Sequence, residues 1–85
     1  MAKVIALKAL AYLAADEDVL NGFLGTTGLL PADLRTGATD SAFLAGVLDY
    51  FLQNEALLLA FASASELAPE AIVRARQGLP GALND

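Results

Sequence analysis

Two stretches decide how this chain is read: LAYLAADEDVLNGFLGTTGLLP, residues 10–31, and LDYFLQNEALLLAFASASELAP, residues 48–69. Overlaid at a shift of 38, they pair Leu10, Tyr12, Glu17, Leu20, Phe23, Leu29 and Pro31 with Leu48, Tyr50, Glu55, Leu58, Phe61, Leu67 and Pro69. From Ile5 to Arg35 there are seven identities over 31 positions. Other pairs keep their type: Ile5 with Phe43, Leu13 with Phe51, Val19 with Leu57, Leu34 with Ile72. Ala/Leu-rich helices resemble one another by composition alone, but the aligned proline, tyrosine and phenylalanine need another explanation. A period of this length signals two copies of one supersecondary unit.

Working outward, each copy reads as three helices. The first spans about Lys3 to Ala15, and its counterpart Ser41 to Gln53. At about 100° per residue, Ile5, Leu7, Leu10, Tyr12 and Leu13 share one broad face, with Lys8, Ala11 and Ala15 opposite. In the second copy Phe43, Leu44, Val47, Leu48, Tyr50 and Phe51 form the apolar face, and Gly46, Asp49 and Gln53 the outer one. Asp16 and Asn54 stand where the second helices begin. Their side chains can accept from open N–H groups, while Glu17, Asp18 and Glu55 suit the positive end of the dipole. Pro31 and Pro69 open the third helices, where the missing N–H costs nothing. Gly37 and Gly78 are expected to stop helices in left-handed dihedrals. Pro80 and Gly81 end the ordered region, and residues 82–85 read as a frayed tail.

Composition agrees with this reading. Of 85 residues, 18 are Ala and 17 Leu, while Val, Ile and Thr together number 10. Ala and Leu lead the helix scale, and strands favour β-branched and aromatic side chains. The fold class is therefore all-α: a compact bundle of five to six short helices in two similar units, about 3–37 and 41–78, within one domain spanning 1–85. An approximate twofold between the units is expected. Cys, His and Trp are absent. Disulfides, thiolate catalysis, Cys/His zinc sites and histidine acid–base chemistry are thereby excluded. The net charge of −5 disfavours attraction to nucleic acid or anionic lipid. Residues 1–16 loosely mimic a secretory signal, but Lys8 interrupts the apolar run and the segment reads better as a packed helix. No run reaches the ~18 apolar residues of a membrane span. The expected compartment is the cytoplasm.

The reactive side chains find structural uses. Asp16, Glu17, Asp18, Asp33, Asp40, Glu55 and Glu70 sit where helix starts want carboxylates. The hydroxyls have no His or Cys beside them to act as an activating base. The four Glu residues lie on separate segments without His, against the pattern of a carboxylate metal site. No catalytic residue, cofactor or metal is expected. The run from Asn21 to Gly28 lacks the closing Gly-Lys-Ser/Thr of a phosphate loop, and close helix approach explains Gly22 and Gly25 better. Two specific alternatives are weighed. Val19 to Gly37 fits a helix-turn-helix outline, yet its short helix offers only Asp33 and Arg35, and the second copy Arg74, Arg76 and Gln77. Asp40-Ser41 fits part of the carrier-protein motif in which a Ser is acylated, but Ala42 stands where Leu belongs.

The copies differ most in their second helix. Gly22, Gly25 and Gly28 become Ala60, Ser63 and Glu66, and Asn21 becomes Leu59. Leu57, Leu58, Leu59 and Phe61 then wrap almost all round the fifth helix. Such a helix is the buried centre of the bundle or meets something outside it. The central position is the ordinary expectation. The alternative makes Leu59, with Leu58 and Ala62, an interaction surface for a protein partner or a homodimer. A non-enzymatic protein–protein interaction module is accordingly the expected function.

The segments Leu29-Leu30-Pro31-Ala32-Asp33-Leu34-Arg35, Phe43 to Leu52, and Asn54 to Ala62 together resemble a small alphaproteobacterial family, the domain of unknown function 3572. The resemblance covers about Leu7 to Leu79. It implies an α-helical bacterial cytoplasmic protein and carries no activity, cofactor or partner with it. The family pattern often has Pro at the position of Ser41, which weighs against the carrier reading.

Overall fold

The computed structural model describes residues 2–79, so the frayed tail expected at 80–85 lies outside the described residues. Six helices follow one another: α1 (Ala2–Ala15), α2 (Glu17–Thr27), α3 (Pro31–Gly37), α4 (Ser41–Leu52), α5 (Glu55–Ala64) and α6 (Pro69–Gln77). The chain is an all-α bundle. α2, α5 and the two proline-led helices start 38 residues apart, as the overlay predicts.

Local chemistry accounts for the boundaries. The Asp16 carboxylate accepts from the N–H groups of Asp18 and Val19 at 3.0 and 3.3 Å, and Asp40 accepts from Ala42 N–H at 3.0 Å. Pro31 and Pro69 occupy first helical positions. Asp33 reaches back to accept from Leu30 N–H at 2.8 Å, closing the open end of α3. Asn54 departs from expectation. It stands at the start of α5 without capping it, and its Nδ2 instead donates to the Tyr50 carbonyl at 2.8 Å, tying off the end of α4. Gly37 and Gly78 are not left-handed stops either. Among the described residues that conformation belongs to Gly28 (φ 75°) and Glu66 (φ 57°), which the overlay pairs with each other. Leu67 N–H then donates to the Ala62 carbonyl at 2.9 Å, the bond expected beyond a left-handed helix end.

The core lies between α1 and α4, which pack on each other. Ile5, Ala6, Ala9, Leu10 and Leu13 face inward from α1, and Leu44, Ala45, Val47, Leu48 and Phe51 from α4. Phe23, Phe61 and Ile72 close the core from α2, α5 and α6. The aromatic contacts are reciprocal between the units. Tyr12 packs on Phe61 with ring centroids 5.5 Å apart, and Tyr50 packs on Phe23 at 5.2 Å. In the overlay Tyr12 is paired with Tyr50 and Phe23 with Phe61, so these two contacts correspond, whereas the Phe51–Phe61 contact at 5.1 Å lies within the second segment and has no counterpart in the first. The third helices break the equivalence: α6 packs against α1, α4 and α5, whereas α3 packs chiefly against α4.

Two expectations about faces are corrected. Leu7 does not share the inward face of α1; it is 42% exposed, on the side of Lys3 and Lys8. α5 is not the central helix. It lies at the periphery against α4 and α6, and the small side chains of Ala6 and Ala9 let α1 take the centre instead. Gly37 serves a close approach, since a Cβ there would lie 2.4 Å from the Phe43 ring. Gly22 faces the Tyr50 hydroxyl, 3.0 Å from where its Cβ would stand, but nothing lies within 4 Å of Gly25, so close approach does not explain that residue.

These positions separate under mutation. Gly25→Ala is expected to stabilise by up to about 1 kcal/mol, because an exposed helix interior gains Ala propensity without a clash. Gly28→Ala forces a side chain into left-handed dihedrals and costs ~1–2 kcal/mol. Gly37→Ala displaces Phe43 and costs ~1–3 kcal/mol. Urea titration of the three variants checks both the signs and the order.

Candidate functional site

No polar or charged side chain is buried among the described residues, and no buried side-chain nitrogen or oxygen lacks a partner. The acids are spread over helix starts. Asp16 and Asp40 cap α2 and α4; Glu17 and Asp18, Asp33, Glu55 and Glu70 lie in the first turns of α2, α3, α5 and α6. No three carboxylates converge in a way that could hold a metal ion among the described residues. Asp49, on the outer side of α4, accepts from Arg76 Nε at 2.6 Å, a bond that fastens α6 to α4.

The residues of the two specific alternatives can now be placed. α3 is seven residues long. The Asp33 carboxylate is engaged by Leu30 N–H, leaving Arg35 as the cation on α3. On α6, Arg74 and Gln77 are exposed, while Arg76 is held by Asp49 and also reaches the Leu79 carbonyl at 3.5 Å. Arg35 on α3 and Arg74 on α6 are thus the exposed cations of the two short helices. Ser41 is the first residue of α4, half-buried in the turn that Asp40 caps. A shallow cleft of about 240 Å³ runs between α1 and α6, lined by Ala2, Ile5, Ala71, Arg74 and Ala75. It holds one charged group and no nucleophile.

The outer face of α5 is different. Glu55, Ala56, Leu59, Ala60, Ser63 and Ala64 are all exposed, and Leu59 is 50% exposed. The overlay places Glu17, Asp18, Asn21, Gly22, Gly25 and Thr26 at the same outward positions of α2. One helix thus turns a polar face to solvent, and the other a face that is apolar or small beyond its first residue. Leu58 is half-buried against the core. Ala62 is 3% exposed and belongs to the core, so it is corrected out of the expected interaction surface: it lies on the inward side of α5 beside Phe61. Leu7 and Val4, 42% and 48% exposed on α1, are outward apolar residues that the helical wheel missed.

Fold and surface together define a small six-helix bundle with carboxylates at its helix starts, an ion pair between α4 and α6, and an apolar outward face on α5. The chain belongs to the family described as "Protein of unknown function (DUF3572)", whose model matches residues 1–82. No curated protein and no solved structure matches the chain. No single helix among the described residues is long and apolar enough to cross a membrane.

The Asp49–Arg76 bond is half exposed on the carboxylate side, so screening by water limits its worth. A double-mutant cycle with Asp49→Asn and Arg76→Gln, read by chemical denaturation, is expected to give a coupling of ~0.5–1 kcal/mol.

Proposed function

We propose that the protein is a non-enzymatic helical interaction module of the bacterial cytoplasm, built from a duplicated three-helix unit, that docks a partner protein on the outer face of α5. The exposure of Leu59 carries this reading. A leucine half open to water at the middle of a helix loses hydrophobic stabilisation that a partner would restore. Ala56, Ala60, Ser63 and Ala64 around it are small enough for a partner helix to approach closely, since interaxial distance is set by the side chains at the contact. Glu55 and Glu66, at the two ends of the face, supply a polar rim. The same positions of α2 are polar or glycine, so a bundle of this design does not need an apolar residue there.

The test compares the wild type with Leu59→Glu. The substitution is expected to change stability by less than about 0.5 kcal/mol, because it lies on the surface. It is also expected to abolish retention of a protein that the wild type retains in affinity capture from source cells. If both forms retain the same proteins, or neither retains any, the α5 face is not the recognition surface.

A further inference from the structure

The outward side of α1 carries more than stray apolar residues. Val4, Leu7, Ala11 and Ala14 are all exposed. Their spacing of three, four and three places them within about 80° of arc, the seam spacing of paired helices. Lys3 and Lys8, the two lysines of the chain, are exposed on either side of this stripe. At the far end of the helix stand Asp16, Glu17 and Asp18, also exposed. Lys3 thus marks the start of the helix and three carboxylates follow just past its finish, with the apolar stripe between and Lys8 beside its middle.

We infer that this face is a self-complementary seam on which a second copy of the chain docks, α1 against α1 in antiparallel orientation. Three features select that occupant. About a twofold axis near Ala9, Val4 falls opposite Ala14 of the second copy and Leu7 opposite Ala11, so each large side chain meets a small one. The Lys3 end of each helix then lies against the acidic corner of the other, where parallel pairing would set Lys3 against Lys3 and acid against acid, and the two Lys8 side chains near the axis keep the contact weak. Antiparallel pairing also opposes the two helix dipoles. Each copy presents the same patch, so the contact closes at two subunits and leaves no open end for polymerisation. The seam is one helix of 14 residues, about 21 Å long. A contact of that length buries less than the ~800 Å² per partner of a standard interface, so the dimer forms reversibly with concentration. It stands apart from the Leu59 surface, which lies on another helix.

Light scattering across a concentration series reads the association. The wild type is expected to pass from monomer to dimer. Leu7→Glu and Ala11→Glu should weaken the dimer about tenfold or more, with thermal midpoints unchanged at concentrations where the wild type is monomeric, and Leu59→Glu should leave it intact. Lys3→Glu should weaken it, and Lys3→Glu combined with Glu17→Lys should recover part of the loss, because the exchanged pair again sets opposite charges against each other. The chain has no cysteine, so introduced thiols report orientation. Val4→Cys mixed with Ala14→Cys should form a disulfide between copies, whereas Ala14→Cys alone should not, its two thiols lying ~15 Å apart along the axis. A wild type that stays monomeric at millimolar concentration, a dimer indifferent to Leu7→Glu and Ala11→Glu, a dimer lost in Leu59→Glu, or self-crosslinking of Ala14→Cys would each overturn the inference.

Discussion

The structure depends on an exchange of aromatic rings: Tyr12 lies on Phe61 and Tyr50 on Phe23. Each contact joins the first helix of one unit to the second helix of the other. Phe61 also packs on Phe51 within its own segment, at 5.1 Å, but Phe23 finds its ring partners, Phe43 and Tyr50, on α4, so the core is shared between the two segments. Edge-on and tilted ring pairs at these separations contribute about 0.5–1.5 kcal/mol beyond the area they bury. Their larger effect is geometric, because the exchange fixes α1 against α4 and carries α2 and α5 to the outside. With no disulfide and an expected thin core at this chain length, stability rests on that interlock and on the sixteen buried apolar residues gathered around it.

Much of this was legible in the residues. The cap at Asp16, the prolines at 31 and 69, and the paired tyrosines and phenylalanines located the helices because each acts through local chemistry. What the chain did not disclose was which side of a nearly uniform helix faces in. α1 carries apolar residues on both sides, so polarity separates Leu7 from Leu10 poorly, and packing decided between them. The helix turned Ala6 and Ala9 inward with Ile5, Leu10 and Leu13, and these two alanines let another backbone come close where leucine would hold it away. The same rule misplaced α5. A helix rich in leucine looks central by hydrophobicity, but centrality in a thin bundle is set by how closely two backbones can approach. Asn54 and Gly37 failed for another reason. Each has two local uses, cap or tie-off for asparagine, left-handed turn or close approach for glycine, and only the neighbouring helix selects between them.

The distribution of charge bears on what the bundle does. Catalysis by carboxylates needs at least one of them desolvated or crowded against another. Here most of the acids stand at helix starts, where Asp16, Asp33 and Asp40 accept from N–H groups and Glu17, Asp18, Glu55 and Glu70 lie at the positive ends of the dipoles, and the Asp49 carboxylate is taken by Arg76. Polar chemistry is thus spent on holding helices at their ends and apolar chemistry on their faces. The faces of α1 and α5 that look outward carry more apolar surface than either task requires. Both faces lie on helices whose opposite sides are already satisfied by the core, so folding does not demand leucine at 7 or 59. On the readings proposed above, both faces serve association. The two faces differ in their edges, lysine and a nearby acidic corner on α1 against glutamate at both ends of α5. That difference in charge separates a surface suited to a second copy of the chain from one suited to a different protein.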